Sequence, residues 1–122
     1  MARVLIVDDE PDFVELIQEF VAGRGYEPLV AYSGREALQK VKEERPHIVL
    51  LDIRMPGMDG MEVLEKIREI DREIGVIMLT AVNDREIGRQ SLQRGAFDYL
   101  VKPIDLKYLE RVLWYKVAAM TL

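Results

Sequence analysis

The sequence predicts an α/β fold: a doubly wound, five-stranded parallel sheet built from five βα units, (βα)5. Three observations predict it. Short apolar runs at residues 4–7, 48–51, 76–79 and 99–101 are continuous rather than alternating. That is the habit of strands buried on both faces of a parallel sheet. Segments with apolar residues at helical spacing lie between the runs, so the two patterns alternate along the chain. Finally, the runs end on chemically loaded residues: Asp8-Asp9, Asp52, Thr80 and Lys102-Pro103. Open parallel sheets bind ligands outside the carboxyl ends of their strands.

Residues 3–8 read as the first strand. Pro11 suits the first turn of a helix. Phe13, Leu16, Ile17, Phe20 and Val21 fall at i, i+3, i+4, i+7 and i+8 and predict one apolar face. Gly23 and Gly25 stop that helix. A weaker second strand covers 27–32. Ser33 caps a helix over roughly 34–44, Pro46 closes the connection, and the third strand covers 47–52. Arg54-Met55-Pro56-Gly57-Met58-Asp59-Gly60 demands turn geometry. A helix over about 60–70 turns Met61, Leu64 and Ile67 inward. The fourth strand is 75–80, the fourth helix about 84–94 and the fifth strand 97–101. Asp105 caps a last helix with Leu106, Leu109, Val112, Leu113 and Val117 on one face. Right-handed crossovers put helices on both sheet faces, and the compatible strand order is 2-1-3-4-5.

A chain of 122 residues without linker, repeat or low-complexity segment predicts a single domain over 1–122. That length suffices for a core without disulfide staples. The absence of cysteine excludes thiolate metal ligation and a disulfide framework. A single histidine, His47, excludes a His-rich metal site and a Ser-His-Asp triad of the usual kind. His47 precedes the third strand at the sheet edge away from the loaded residues, which predicts a structural or solvent role. No apolar stretch approaches membrane-spanning length, and the N-terminus lacks a basic region followed by an apolar segment. A soluble, cytoplasmic protein without a membrane partner is expected. The formal charge of −5 argues against direct nucleic-acid binding.

In the order 2-1-3-4-5, strands one and three are neighbours at the switch point, so Asp8, Asp9 and Asp52 come together. Bare carboxylates so close raise one another's pKa, and a hard divalent cation removes the conflict. Mg²⁺ prefers one or two carboxylates plus water and phosphate oxygens. Ca²⁺ is disfavoured, because no Asp-rich loop of EF-hand spacing is present. Taken singly these residues are bland. Asp8-Asp9 would read as helix-start carboxylates, Thr80 as a strand or cap residue, Lys102 as a solvated charge and Tyr99 as a core-edge aromatic. Their joint occurrence at successive strand ends is what carries the site.

Asp8-Asp9, Asp52, the segment Met55-Pro56-Gly57-Met58-Asp59-Gly60, Thr80 and Lys102-Pro103 together resemble the receiver domain of two-component response regulators. The resemblance covers essentially the whole chain in matching order and implies a flavodoxin-like fold. It implies that Asp52 is the phosphoacceptor, taking a phosphoryl group from a sensor histidine kinase or a phosphotransfer protein. It further implies Mg²⁺, with Mn²⁺ as a substitute, ligated by Asp9, Asp52 and the backbone carbonyl of Arg54, with Asp8 acting through water. Lys102 would join the metal in neutralising the phosphoryl oxygens. Thr80 would hydrogen-bond the phosphoryl group, Tyr99 would change rotamer with it, and Lys102-Pro103 would be a cis peptide. Arg54 and Val82 stand where the family varies, positions that set phosphorylation and hydrolysis rates. Ala81 is small and leaves the pocket open.

The implied protein is a switch that assists its own phosphorylation and dephosphorylation, rather than an enzyme on an external substrate. It would control a downstream output domain or protein, either standing alone or as the N-terminal part of a longer regulator. The alternatives are a degenerate receiver that binds partners without phosphate, and a phosphohydrolase using an aspartyl phosphate. The latter would need an acid two residues after the nucleophile, where this chain has Arg54. A flavodoxin-like FMN module would need a hydroxyl- and glycine-rich loop after strand one, where this chain has Asp8-Asp9-Glu10-Pro11.

The fourth helix has few apolar anchors and an interior Gly88, which costs roughly 1 kcal/mol against Ala. It is expected to be weakly held and to shift with the site. On the last helix Tyr108, Arg111 and Tyr115 point away from the apolar stripe and Trp114 lies at its flank. Exposed aromatics with an arginine are the composition of interface anchors. They predict a partner or phosphorylation-dependent homodimer surface made by helix four, strand five and helix five. The tail after Lys116 carries no charge, which suits either a docking tail or a junction.

Overall fold

The apolar runs pair side by side. The computed structural model describes residues 1–120, so Thr121 and Leu122, the end of the uncharged tail, lie outside the described residues. The elements are β1 (Arg3–Val7), α1 (Pro11–Gly23), β2 (Glu27–Ala31), α2 (Gly34–Glu44), β3 (Ile48–Asp52), β4 (Arg54–Met55), β5 (Met58–Asp59), α3 (Gly60–Ile70), β6 (Gly75–Thr80), a 3₁₀ turn (Val82–Asp84), α4 (Arg85–Gln93), β7 (Asp98–Val101) and α5 (Leu106–Met120). The main sheet runs β2-β1-β3-β6-β7 with every pair parallel. Counting its strands alone, this is the expected order 2-1-3-4-5. The turn segment after β3 closes into a small antiparallel hairpin, β4 with β5.

Alternation along each strand splits the core in two. Val4, Ile6, Ile48, Leu50, Ile77, Leu79 and Leu100 pack with α1 and α5 through Val14, Ile17, Val21, Leu109, Val112 and Leu113. Leu5, Val7, Val49, Leu51, Val76 and Met78 pack on the other face with α2 and α3 through Ala37, Val41, Val63, Leu64 and Ile67. Each Val, Leu, Ile or Met side chain among them, fully buried, stabilises the fold by about 1.5–3 kcal/mol before the entropy of ordering it. Two helix starts follow the sequence signals closely. Pro11 opens α1, and the Ser33 hydroxyl accepts from the Glu36 amide. Asp59 and Asp105 likewise cap α3 and α5, accepting from the Met61 amide and from the Lys107 and Tyr108 amides.

The α1 face differs from the expectation. Leu16 is 53% exposed, while Val14 is buried and Phe13 and Phe20 only flank the core. The stripe centres on Ile17. At 3.6 residues per turn Leu16 lies about 100° from that centre, whereas Val14 and Val21 lie within about 60°.

Candidate functional site

Parallel pairing of β1 with β3 sets Val7 beside Leu51, so the residues that follow each strand emerge together at the carboxyl edge. Asp8 is fully buried. Its Oδ1 accepts from the Glu10 amide at 3.0 Å, and its Oδ2 accepts from Lys102 Nζ at 2.7 Å. Asp52, 8% exposed, accepts from the Arg54 amide at 3.3 Å. Its other oxygen lies 3.8 Å from Lys102 Nζ. Asp9 is exposed. One carboxylate oxygen from each of Asp8, Asp9 and Asp52 falls within 4.8 Å of the others.

This geometry has an electrostatic cost. Burial first, then the neighbouring charge of Asp8, pushes the Asp52 carboxyl up to about 6, against the opposing pull of Lys102. Burial also works against the Lys102 ammonium. Its hydrogen bond to Asp8 and the charges of Asp52, Asp8 and Glu10 outweigh that and hold its pKa above the usual lysine value. Three converging carboxylates facing one ammonium leave an excess of negative charge. Oxygen donors at this spacing, one of them solvent-facing, are the set a hard divalent cation takes. The donor chemistry therefore fits Mg²⁺.

Lys102 is held from several sides. Its peptide to Pro103 is cis, and its amide donates to the Thr80 carbonyl at 2.7 Å. Nζ sits 4.3 Å from the centre of the Phe13 ring and 3.6 Å from Glu10 Oε1. Neither Phe13 nor Glu10 carried a site signal in the sequence. Phe13 reads as a residue of the apolar stripe, and only the tertiary fold brings α1 under the lysine.

Thr80 ends β6, is buried, and its hydroxyl donates to the Leu100 carbonyl at 3.4 Å, a long contact. Tyr99, half-buried on β7, packs with the α2–α3 side of the core. Its ring lies against Gly88 of α4. A Cβ on Gly88 would stand 2.7 Å from Tyr99 Cδ2 and 3.1 Å from Thr80 Cγ2. The glycine therefore admits a close approach between α4, Thr80 and Tyr99, beyond the local weakening that its helix propensity implies. Gly60 has a parallel role behind Asp52. A Cβ there would lie 2.5 Å from the Asp52 carbonyl oxygen and 2.6 Å from Ile53 Cα.

Arg54 reaches across the mouth of the site. Its Nε and Nη2 each donate at 3.0 Å to the two carboxylate oxygens of Asp84. That hydrogen-bonded fork holds Asp84 below the usual carboxylate range. Asp84 is only 7% exposed. Sequence reading missed this pair, because Asp84 reads as the first residue of the fourth helix and its separation from Arg54 carries no pairing signal.

The four candidate interface residues divide between two surfaces. Tyr108 and Arg111 line a cleft of about 450 Å³ with the edge of β7, and the Tyr108 hydroxyl donates to Asp98 at 2.7 Å. Trp114 and Tyr115, each 61% exposed and packed edge to face, line a second cleft of about 340 Å³ with Arg24, Tyr26 and Glu110. Arg111 borders both. The expected single face is thus two, one at β7–α5 and one at α1–α5. His47 stands at the opposite sheet end. Its Nδ1 accepts from the Arg3 amide at 2.9 Å. Burial, then the charges of Arg3 and the N-terminus, lowers its pKa. Among the described residues no helix is long and apolar enough to cross a membrane.

Comparison with known proteins supports the same assignment. The family model for the response regulator receiver domain matches residues 4–113. Sporulation initiation phosphotransferase F of Bacillus subtilis is 39% identical over 104 residues, 85% of this chain and 84% of that protein. The transcriptional regulatory protein ZraR of Salmonella typhimurium is 37% identical over 110 residues, 90% of this chain, but the match spans only 25% of ZraR. A solved response regulator receiver domain protein from Clostridium thermocellum superposes with a TM-score of 0.95 at 29% identity, covering 99% of this chain and 98% of that one.

Proposed function

The chain belongs to the response regulator receiver domain family, and from that premise we propose that it is a phosphorylation-operated switch whose acceptor is Asp52. The observation that carries this reading is the placement of Lys102 Nζ, 2.7 Å from Asp8 and 3.8 Å from Asp52, beside a three-carboxylate cluster. An Asp52 oxygen attacks the phosphorus of a phosphohistidine or acyl phosphate. The new O–P bond forms as the donor's bond to phosphorus breaks, and the leaving group keeps the electron pair. Near neutral pH an acceptor with a pKa of about 6 is mostly ionised and ready to attack.

Asp9, Asp52 and the Arg54 carbonyl would hold Mg²⁺ (or Mn²⁺), with Asp8 acting through water. When bound, the ion would supply positive charge against the phosphoryl oxygens. Lys102, oriented by Asp8, adds its ammonium. Thr80 exchanges its long bond to Leu100 for one to the phosphoryl group. Because Thr80 and Tyr99 both touch Gly88, that exchange shifts α4 and the β7–α5 face.

The donor is a sensor histidine kinase or phosphotransfer protein, and the recipient of the signal is an output domain or partner protein. The setting is the cytoplasm, with no direct contact to nucleic acid. Tyr108 and Arg111 on the β7–α5 cleft, and Trp114 and Tyr115 beside it, serve as contacts of a phosphorylation-dependent homodimer or output complex. The test is intact mass after incubation with Mg²⁺ and a small acyl phosphate. The native chain should gain one phosphoryl group only with Mg²⁺, and Asp52→Asn should gain none.

A further inference from the structure

We propose that Arg54 is a phosphoryl-binding residue held in reserve by Asp84, and that its release lets Asp84 cap helix α4. The inference rests on the reading of Asp52 as phosphoacceptor. It adds a third cationic ligand and a direct link from the acceptor to α4.

Two independent observations carry it. The first is the clamp itself. Arg54 lies two residues beyond Asp52, and its amide already bonds the Asp52 carboxylate. Its guanidinium is committed through both forks to Asp84. The two ends of the clamp differ sharply in burial, because the Arg54 side chain is 67% exposed while that of Asp84 is 9% exposed. An arginine so solvated changes partner at little cost, and its planar fork matches a phosphoryl group as well as it matches a carboxylate. A phosphoryl group carries up to two negative charges and three acceptor oxygens, so it outcompetes a single carboxylate for the same guanidinium.

The second observation is an unused cap. Ser33, Asp59 and Asp105 stand before α2, α3 and α5, and each accepts an amide of its helix's first turn. Asp84 occupies the same position before α4, yet its side chain makes no capping bond: both its oxygens face Arg54, and its backbone (φ −111°, ψ 16°) closes the 3₁₀ turn instead of taking the extended form of the Ser33 and Asp59 caps. A carboxylate this buried must keep hydrogen-bond donors. Once Arg54 leaves and Asp84 turns to an extended backbone, the amides a cap at this position takes are those of Glu86 and Ile87, the second and third residues of α4. One partner exchange at the acceptor therefore tightens the start of the helix on the output side.

The experiment uses beryllofluoride with Mg²⁺ as a non-covalent phosphoryl mimic on the whole chain. Affinity is measured by calorimetry, and exchange of the Glu86 and Ile87 amides by NMR. In the native protein those two amides should slow by about tenfold on adding the mimic. R54A should bind the mimic about tenfold more weakly, and D84N, which frees the arginine, severalfold more tightly. Both variants should show the slowed Glu86 and Ile87 amides before any mimic is added, since residue 84 is then free to cap. Equal weakening in R54A and D84N would reduce the clamp to a structural support and overturn the proposal. So would unchanged Glu86 and Ile87 exchange in the native protein, a readout that needs no variant to fold. If the native protein fails to bind the mimic at all, the phosphoacceptor reading falls and this inference with it. Native binding with the wrong order of variants removes this inference alone.

Discussion

Asp52→Asn should stabilise the metal-free protein at pH 7. Burial and the charge of Asp8 raise the Asp52 carboxyl from 3.8 to about 6. The folded state therefore holds a proton that the unfolded state releases between about pH 4 and 6. The associated stability is fully present below the unfolded value, and it is lost as pH rises through the folded one. A shift of about 2 units corresponds to about 3 kcal/mol at 1.36 kcal/mol per unit, an upper figure for what ionised Asp52 costs the fold at pH 7. Asparagine has the same shape, keeps an oxygen for the Arg54 amide and cannot ionise.

Urea unfolding of both forms in a chelating buffer tests this. The variant should be about 2–3 kcal/mol more stable at pH 7, and the gap should close toward pH 4. Because the two forms share every other carboxylate, the difference isolates Asp52. Millimolar Mg²⁺ should shrink the gap at pH 7 by stabilising the native form alone. A variant less stable than native at pH 7, or a gap indifferent to pH, would refute the claim that buried like charge is stored at Asp52.

Gly88→Ala places a methyl group 2.7 Å from Tyr99 Cδ2. It should lower stability by about 1–2 kcal/mol, with overpacking exceeding the roughly 1 kcal/mol gain in helix propensity; thermal unfolding matching native would count against the close approach. Lys102→Ala leaves Asp8 buried without its ammonium partner, so it should cost about 3 kcal/mol in chelator and slow phosphoryl uptake, as denaturation and mass-resolved kinetics would show. Tyr108→Ser and Tyr115→Ser should each weaken phosphorylation-dependent association in sedimentation without changing uptake. If only Tyr108→Ser does so, the partner surface is confined to the β7–α5 cleft.

The architecture was legible because each sheet strand is an uninterrupted apolar run, and alternation with helices leaves few topologies. Five sheet strands and five helices follow from that pattern, while the strand order 2-1-3-4-5 is only compatible with it and comes by analogy with other doubly wound sheets. Helix phase was less legible. Val14, Leu16 and Ile17 are all apolar, so spacing alone admits two stripes, and packing against the sheet chooses the one centred on Ile17. The carboxylate-bearing edge was readable because charged and hydroxyl residues there terminate apolar runs. The partners that hold it were hidden, because Phe13, Glu10 and Asp84 have ordinary local readings as stripe, surface and helix start. Only tertiary proximity gives them a second role. Gly88 shows the same ambiguity, since a helix glycine can mark weakness or a close neighbour, and here Tyr99 decides. The aromatic face of α5 was located, but its division depends on where β7 and α1 lie beside it, which helix spacing does not encode.

The most direct test of the account is the position of the phosphoryl group itself. The native chain is incubated with Mg²⁺ and acyl phosphate, reduced with borohydride, which converts an aspartyl phosphate to homoserine, and digested for peptide mapping by mass spectrometry. The account predicts homoserine at position 52 alone, dependent on Mg²⁺. Homoserine at position 8 or 9, or a phosphoryl group that resists borohydride on a hydroxyl residue, would contradict it.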